Sequence, residues 1–222
     1  MRPILQIANN NKTSLHLANL IAERMDFLVQ EVHSSDFENI NAIVETQDAA
    51  LLIIGLNSNN EIQFYLNKCR ELRVPYIFVK NELPAEFNIE NIILPITNLE
   101  EEREKGPFTS SFARHFNCPI TIYQPNDFGS KAATNIDAMK TLFDSFSLQY
   151  TTSKGKKDSG GIEFEAGMLH KNQQNCLLII SASRDYGLDD IIFGPKERKI
   201  IKNINIPTML INPRGDLYAL CD

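Results

Sequence analysis

The chain has 222 residues and a net charge of −6, with 43% hydrophobic and 23% charged residues, the balance of an ordinary globular protein. No apolar run reaches the roughly 20 residues a membrane span needs, and no part carries the broad basic excess that phosphate backbones attract. These features exclude a transmembrane protein and a nucleic-acid binder, and since MRPILQIANNNK has too short an apolar run for a secretory signal, a cytoplasmic location is expected.

The first elements alternate in type. PILQIAN (Pro3 to Asn9), DFLVQEVH (Asp26 to His33), AALLIIGL (Ala49 to Leu56) and PYIFVK (Pro75 to Lys80) are short, apolar and bounded by Asn, Ser or Pro, as strands are. Between them lie helical patterns. TSLHLANLIAERM puts Leu17, Leu20, Ile21 and Met25 on one face, with Thr13 or Ser14 expected to cap its start. FENINAIVETQ and EIQFYLNKCREL repeat the pattern. Strands alternating with helices imply β-α-β units and a parallel sheet covered on both faces.

KNELPAEFNIE, Lys80 to Glu90, shows neither period and reads as a linker. The alternation then restarts with NIILPIT (Asn91 to Thr97), a helix through PFTSSFARHF, the strand CPITIYQP and a long helix from about Ser130 to Phe146. SLQYTTS, the helix SGGIEFEAGMLHKN, the strand NCLLIIS, the helix ERKIIKNI and the strand IPTMLIN close the series. AALLIIGL, a helix and VPYIFVK parallel CLLIIS, a helix and IPTMLIN. Internal similarity of this kind points to a duplicated architecture: a shortened unit over 1–82 and a complete one over 90–222, the first lacking one strand–helix pair.

Side chains that could carry chemistry are scattered. Cys69, Cys118, Cys176 and Cys221 form no C-x-x-C pair, and the four histidines are isolated from one another and from cysteine. Cys118 and Cys176 belong to apolar strands, where a thiol acts as a small buried hydrophobe; no metal site is expected. KGKK at Lys154 to Lys157 reads as a solvated loop. EEERE, Glu100 to Glu104, and the neighbours Asp189 and Asp190 read as exposed charge at turns and helix starts, which acids suit electrostatically.

In strand order and lengths, in the long second helix, and in the endings I-P-T-M-L-I-N and V-P-Y-I-F-V, the chain resembles a tandem universal stress protein. The resemblance is close over Asn91 to Pro213 and looser over Pro3 to Lys80. It implies two Rossmann-like units of the adenine-nucleotide-α-hydrolase type, with mostly parallel sheets and helices on both faces. ATP-binding members carry an Asp at the end of the first strand and G-x-x-G-x9-G-[ST] after the fourth. Glycines in such a loop let the backbone approach phosphate oxygens, and the following helix offers free N–H groups.

Laid on that pattern, SASRDYGLDDIIFGPKE keeps little of it. Ser181 and Arg184 stand for the first two glycines, Gly194 for the third, and Pro195 for the Ser/Thr; Thr97 stands for the Asp. Proline has neither a hydroxyl nor an N–H to donate, and Asp189 and Asp190 place negative charge in the same loop. Gly194 and Pro195 instead read as an N-cap and a first helical residue. No ATP or other cofactor is therefore expected.

The leading functional reading is a non-enzymatic, stress-protein-like module that acts through protein contacts as a homodimer, pairing through the last strand IPTMLIN, taken as an uncovered edge. The alternative is a small-molecule sensor whose pocket lies at the strand ends of the second unit, lined by Thr97, Asn98, Ser181, Ser183, Arg184, Gly194 and Lys196. No nucleophile–His–acid arrangement supports an enzyme.

Overall fold

A computed structural model describes residues 2–9, 11–80, 82–127, 131–183 and 195–214. The strands follow from short apolar runs whose alternate residues face opposite ways. In β3 (Leu51–Leu56) Leu52 and Ile54 enter one core, while Leu51 and Ile53 enter the other. In β8 (Cys176–Ser181) Leu178 and Ile180 part from Leu177 and Ile179 in the same way. Both strands are buried along their whole length, as strands covered by helices on both faces must be.

The other strands are β1 (Pro3–Ala8), β2 (Leu28–His33), β4 (Tyr76–Lys80), β5 (Asn91–Pro95), β6 (Ile120–Gln124), β7 (Tyr150–Lys154) and β9 (Thr208–Ile211). The described residues form one nine-stranded sheet in the order β2-β1-β3-β4-β9-β8-β5-β6-β7. Its pairs are parallel except one, β4 with β9, which run antiparallel with Ile77 opposite Met209. Two parallel blocks thus meet at a single antiparallel seam. The α/β fold class read from the sequence holds.

The helices divide between the faces. α1 (Lys12–Met25), α4 (Lys105–Phe116) and α5 (Lys131–Ser145) supply Leu17 and Ile21, Phe112 and Phe116, and Ile136, Met139 and Phe143 to one core. α2 (Ile40–Thr46), α3 (Ile62–Cys69), α6 (Ile162–His170) and α7 (Lys196–Asn203) cover the other. Two 3-10 turns, Ser34–Asn39 and Glu100–Glu104, lead into α2 and α4. No described helix is long and apolar enough to cross a membrane.

The seam is also closed by helices and side chains. α1 packs on α4 across it on one face, and α3 on α7 on the other. Asn212, just past β9, donates through Nδ2 to the Cys69 and Leu72 carbonyls at 2.6 and 2.9 Å, and its Oδ1 accepts from the Tyr76 hydroxyl at 3.1 Å.

Three local expectations are corrected. The last strand, IPTMLIN, is no edge, because β9 lies between β4 and β8; the sequence pattern shows that a strand is apolar, but not what it pairs with. The cap of α1 is Asn11 rather than Thr13 or Ser14: its Oδ1 accepts from the Ser14 N–H at 3.1 Å. Pro195 has extended backbone and precedes α7, which starts at Lys196, so proline holds the cap position and not the first helical one.

Candidate functional site

β5 and β8 are neighbours in the sheet although some 80 residues separate them, and the chain leaves β5 towards β6 on its other side. At such a switch point the strand ends diverge and leave a crevice, the usual ligand position in open α/β sheets. Thr97 follows β5 and Ser181 ends β8, so both stand at this crevice.

Glu102 fills it. The 3-10 turn Glu100–Glu104 folds back over the end of β5, and Asn135 of α5 fixes the approach by donating to the Thr97 and Leu99 carbonyls at 3.1 and 2.7 Å. Glu102 is 0% exposed. Its Oε2 accepts the Thr97 N–H at 2.9 Å and its Oε1 the Ser181 hydroxyl at 2.8 Å. Lys105, equally buried at the start of α4, places Nζ 2.5 Å from Glu102 Oε2 and donates to the Pro95 carbonyl at 2.6 Å.

The network continues beneath β8. Glu163, in the first turn of α6, accepts the Ser181 N–H through Oε1 at 3.2 Å. That oxygen lies 3.9 Å from Lys105 Nζ, and Oε2 is 2.8 Å from Lys196 Nζ. Glu197, in the first turn of α7, accepts both the N–H and, at 2.9 Å, the hydroxyl of Ser183. Three carboxylates therefore face two ammonium groups.

Burial works against every charge here, and the outcome differs from group to group. Burial would raise Glu102, yet the Lys105 ammonium beside it, with the Thr97 and Ser181 hydrogen bonds, holds its carboxyl below the ordinary range. For Glu197 burial wins over the Ser183 bonds and pushes the carboxyl up. Burial opposes the Lys196 charge as well, but Glu163, backed by Glu102 and Glu197, holds the ammonium above its ordinary value.

Of the residues expected at a ligand site, Thr97, Ser181, Ser183 and Lys196 do converge, but on the protein's own carboxylates. Asn98 is exposed and takes no part in the network. Arg184 and Gly194, with Gly187, Asp189 and Asp190, lie outside the described residues. The reading of EEERE as solvated charge is corrected at its centre. Glu100 is exposed and pairs with Lys131 at 2.8 Å, whereas Glu102 is buried. The i, i+3 spacing of Glu102 and Lys105 was the available signal; that the turn folds inward depends on β5 ending beneath it.

Both cations are already paired, and a phosphate entering the crevice would meet Glu102 and Glu163 at close range.

No protein-family model matches the sequence, and no curated protein does. Among solved structures, one from Archaeoglobus fulgidus DSM 4304, a universal stress protein, superposes with a TM-score of 0.65 at 9% identity, over 97% of this chain and 88% of that one. The fold is that of a universal stress protein. A protein of unknown function from Pseudomonas aeruginosa PAO1 is similar at 14% identity, with a TM-score of 0.57 over 98% of this chain and 84% of its own. At these identities the likeness is one of fold.

Proposed function

We propose that the chain is a tandem universal stress protein with a shortened first unit, acting in stress responses through protein contacts, without catalysis or ATP binding. The two parallel blocks support the tandem reading. β1, β2, β3 and β4 correspond to β5, β6, β8 and β9, and α1, α2 and α3 to α4, α6 and α7, with matching faces of the sheet. What the first block lacks is one helix–strand pair, α5 and β7. On this reading the antiparallel seam between β4 and β9 is a dimer-like contact built into one chain, and any homodimer must use a surface other than β9.

The observation that carries the loss of ATP binding is the Glu102 carboxylate held between the Thr97 N–H and the Ser181 hydroxyl. A carboxylate with its own buried lysine stands where a ligand would need donors and space. A ligand at about 100 times its Kd would stabilise the protein by about 2.7 kcal/mol, a melting shift of several degrees. No shift is expected with millimolar Mg-ATP. A reproducible shift of a few degrees, lost in Lys196→Ala, would overturn the reading and make the protein a nucleotide sensor.

A further inference from the structure

An apolar groove lies where the seam reaches the surface. The β4–β9 ladder ends at Tyr76 opposite Leu210, and the residue before Tyr76, Pro75, has no N–H to extend it. Ile211 runs past that point, still paired with Ser181 of β8. The groove beside it measures about 220 Å³, below the roughly 300–1,000 Å³ of small-molecule sites. It suits side chains better than a free ligand.

Both blocks build it. Leu72, Val74 and Pro75 come from the segment before β4, Pro107 and Phe108 from the start of α4, and Ile211 from β9. Leu72 and Val74 belong to the core on the α3 side of the sheet, Phe108 and Ile211 to the core on the α1 side. Leu72 and Ile211 are buried, whereas Val74 and Phe108 are half-buried and Pro107 is exposed. The two cores therefore come to the surface at one place.

The chain reaches this groove at Arg214, the last described residue. Its N–H donates to both Glu104 carboxylate oxygens, at 3.2 and 3.1 Å, and both residues line the groove. The residues that follow, GDLYALCD, lie outside the described ones. They include Leu217, Tyr218, Ala219 and Leu220, and their charged side chains are Asp216 and Asp222. Leu217 can lie no more than about 10 Å from Arg214, at roughly 3.3–3.6 Å per residue. On the rim stand Arg73 and Arg214, opposite in sign to the two aspartates.

We infer that the groove is the docking site of this chain's own segment Leu217–Leu220, with the apolar side chains in the groove and the aspartates towards Arg73 and Arg214. Apolar burial against residues of both cores favours the contact. The short tether through Gly215 and Asp216 makes it intramolecular, at an effective concentration of about millimolar or above. Docked there, the segment straps the two blocks together at the end of the seam that the ladder leaves uncovered. The inference rests on the seam and not on the tandem or stress-response reading.

The chain contains no tryptophan, so Tyr218→Trp in the full chain places a single indole in the segment. Its emission is expected to lie to the blue of its value in urea, with several-fold protection from acrylamide quenching, at every protein concentration. Adding Leu217→Asp or Val74→Asp is expected to move the emission to the red and abolish the protection. Leu217→Asp changes no described residue, so it reads docking even if Val74→Asp unfolds the protein. Urea-like emission from the native variant would overturn the inference, as would protection that survives Leu217→Asp. Protection that survives a folded Val74→Asp would place the segment elsewhere, and protection that grows with protein concentration would place it on a second copy; either result overturns it too.

Discussion

The Glu102 carboxylate accepts the Ser181 hydroxyl at 2.8 Å, joining a turn after β5 to the last residue of β8 across 79 positions of sequence. One side chain thus closes the crevice between two parallel strands and carries the charge that Lys105 neutralises. A buried pair of this kind stabilises little relative to an apolar replacement, but removing one partner leaves an uncompensated buried charge.

Glu102→Ala is therefore expected to destabilise the fold by about 3–5 kcal/mol in urea unfolding. Adding Lys105→Met to it is expected to restore a large part of that loss, since both charges then disappear. A single-mutant loss below about 1 kcal/mol, the range of exposed ion pairs, would show that the pair is solvated.

Stability against pH should carry two opposed signatures. Glu102 is held below its ordinary 4.5, so its contribution is present above pH 4.5 and is lost as pH falls through the lower folded value. Glu197 is raised above 4.5, so the folded state binds the extra proton, and stability declines as pH rises from 4.5 through the raised value. A maximum in the mildly acidic range follows. Glu197→Gln is expected to flatten the slope on its neutral side and Glu102→Gln the slope on its acid side. Melting temperatures across pH 3–8 would show this, and a Glu197→Gln profile parallel to that of the parent protein would refute the assignment.

Much of this architecture was legible in the chain. Runs such as LLIIGL and CLLIIS are too short and too apolar for surface helices, and the amphipathic stretches between them left little choice but β-α-β. The antiparallel seam was not legible. TMLI is equally apolar as an edge or as an internal strand, and only the pairing of Ile77 with Met209 distinguishes the two. The crevice was half legible: Thr97, Ser181 and Lys196 could be placed at strand and helix ends, but not the inward fold of the acidic turn that consumes them.

The thiols should be inert in the native state. Burial pushes Cys118 and Cys176 up to about 11 and Cys69 well above its ordinary value. The thiolate is the reactive form, so in a Cys221→Ser variant at pH 8 these three are expected to react with an aromatic disulfide reagent only at the rate of unfolding. Addition of urea should release all three together. A thiol labelled within seconds in buffer would mean that its strand end is open.

The seam between β4 and β9 yields the last expectation. Asn212 donates to two carbonyls at and just past the end of α3 and receives the Tyr76 hydroxyl, so one buried amide from the second block adds to the hydrogen bonding of the first. Asn212→Ala would leave the Leu72 carbonyl without its side-chain donor and the Cys69 carbonyl with only the Leu72 N–H, and an unsatisfied buried group costs about 1–3 kcal/mol. Deleting residues 1–80 is more drastic: it removes the strand facing Thr208–Ile211 and leaves an apolar edge, which associates with further chains. Light scattering should therefore report a 25.2 kDa particle for the whole chain and dimers or larger species for the fragment. A stable dimer of the whole chain would require a surface other than β9, with the outer strands β2 and β7 the available edges. A fragment that stays monomeric at high concentration, together with an Asn212→Ala protein of unchanged stability, would show that the seam does not hold the two blocks together.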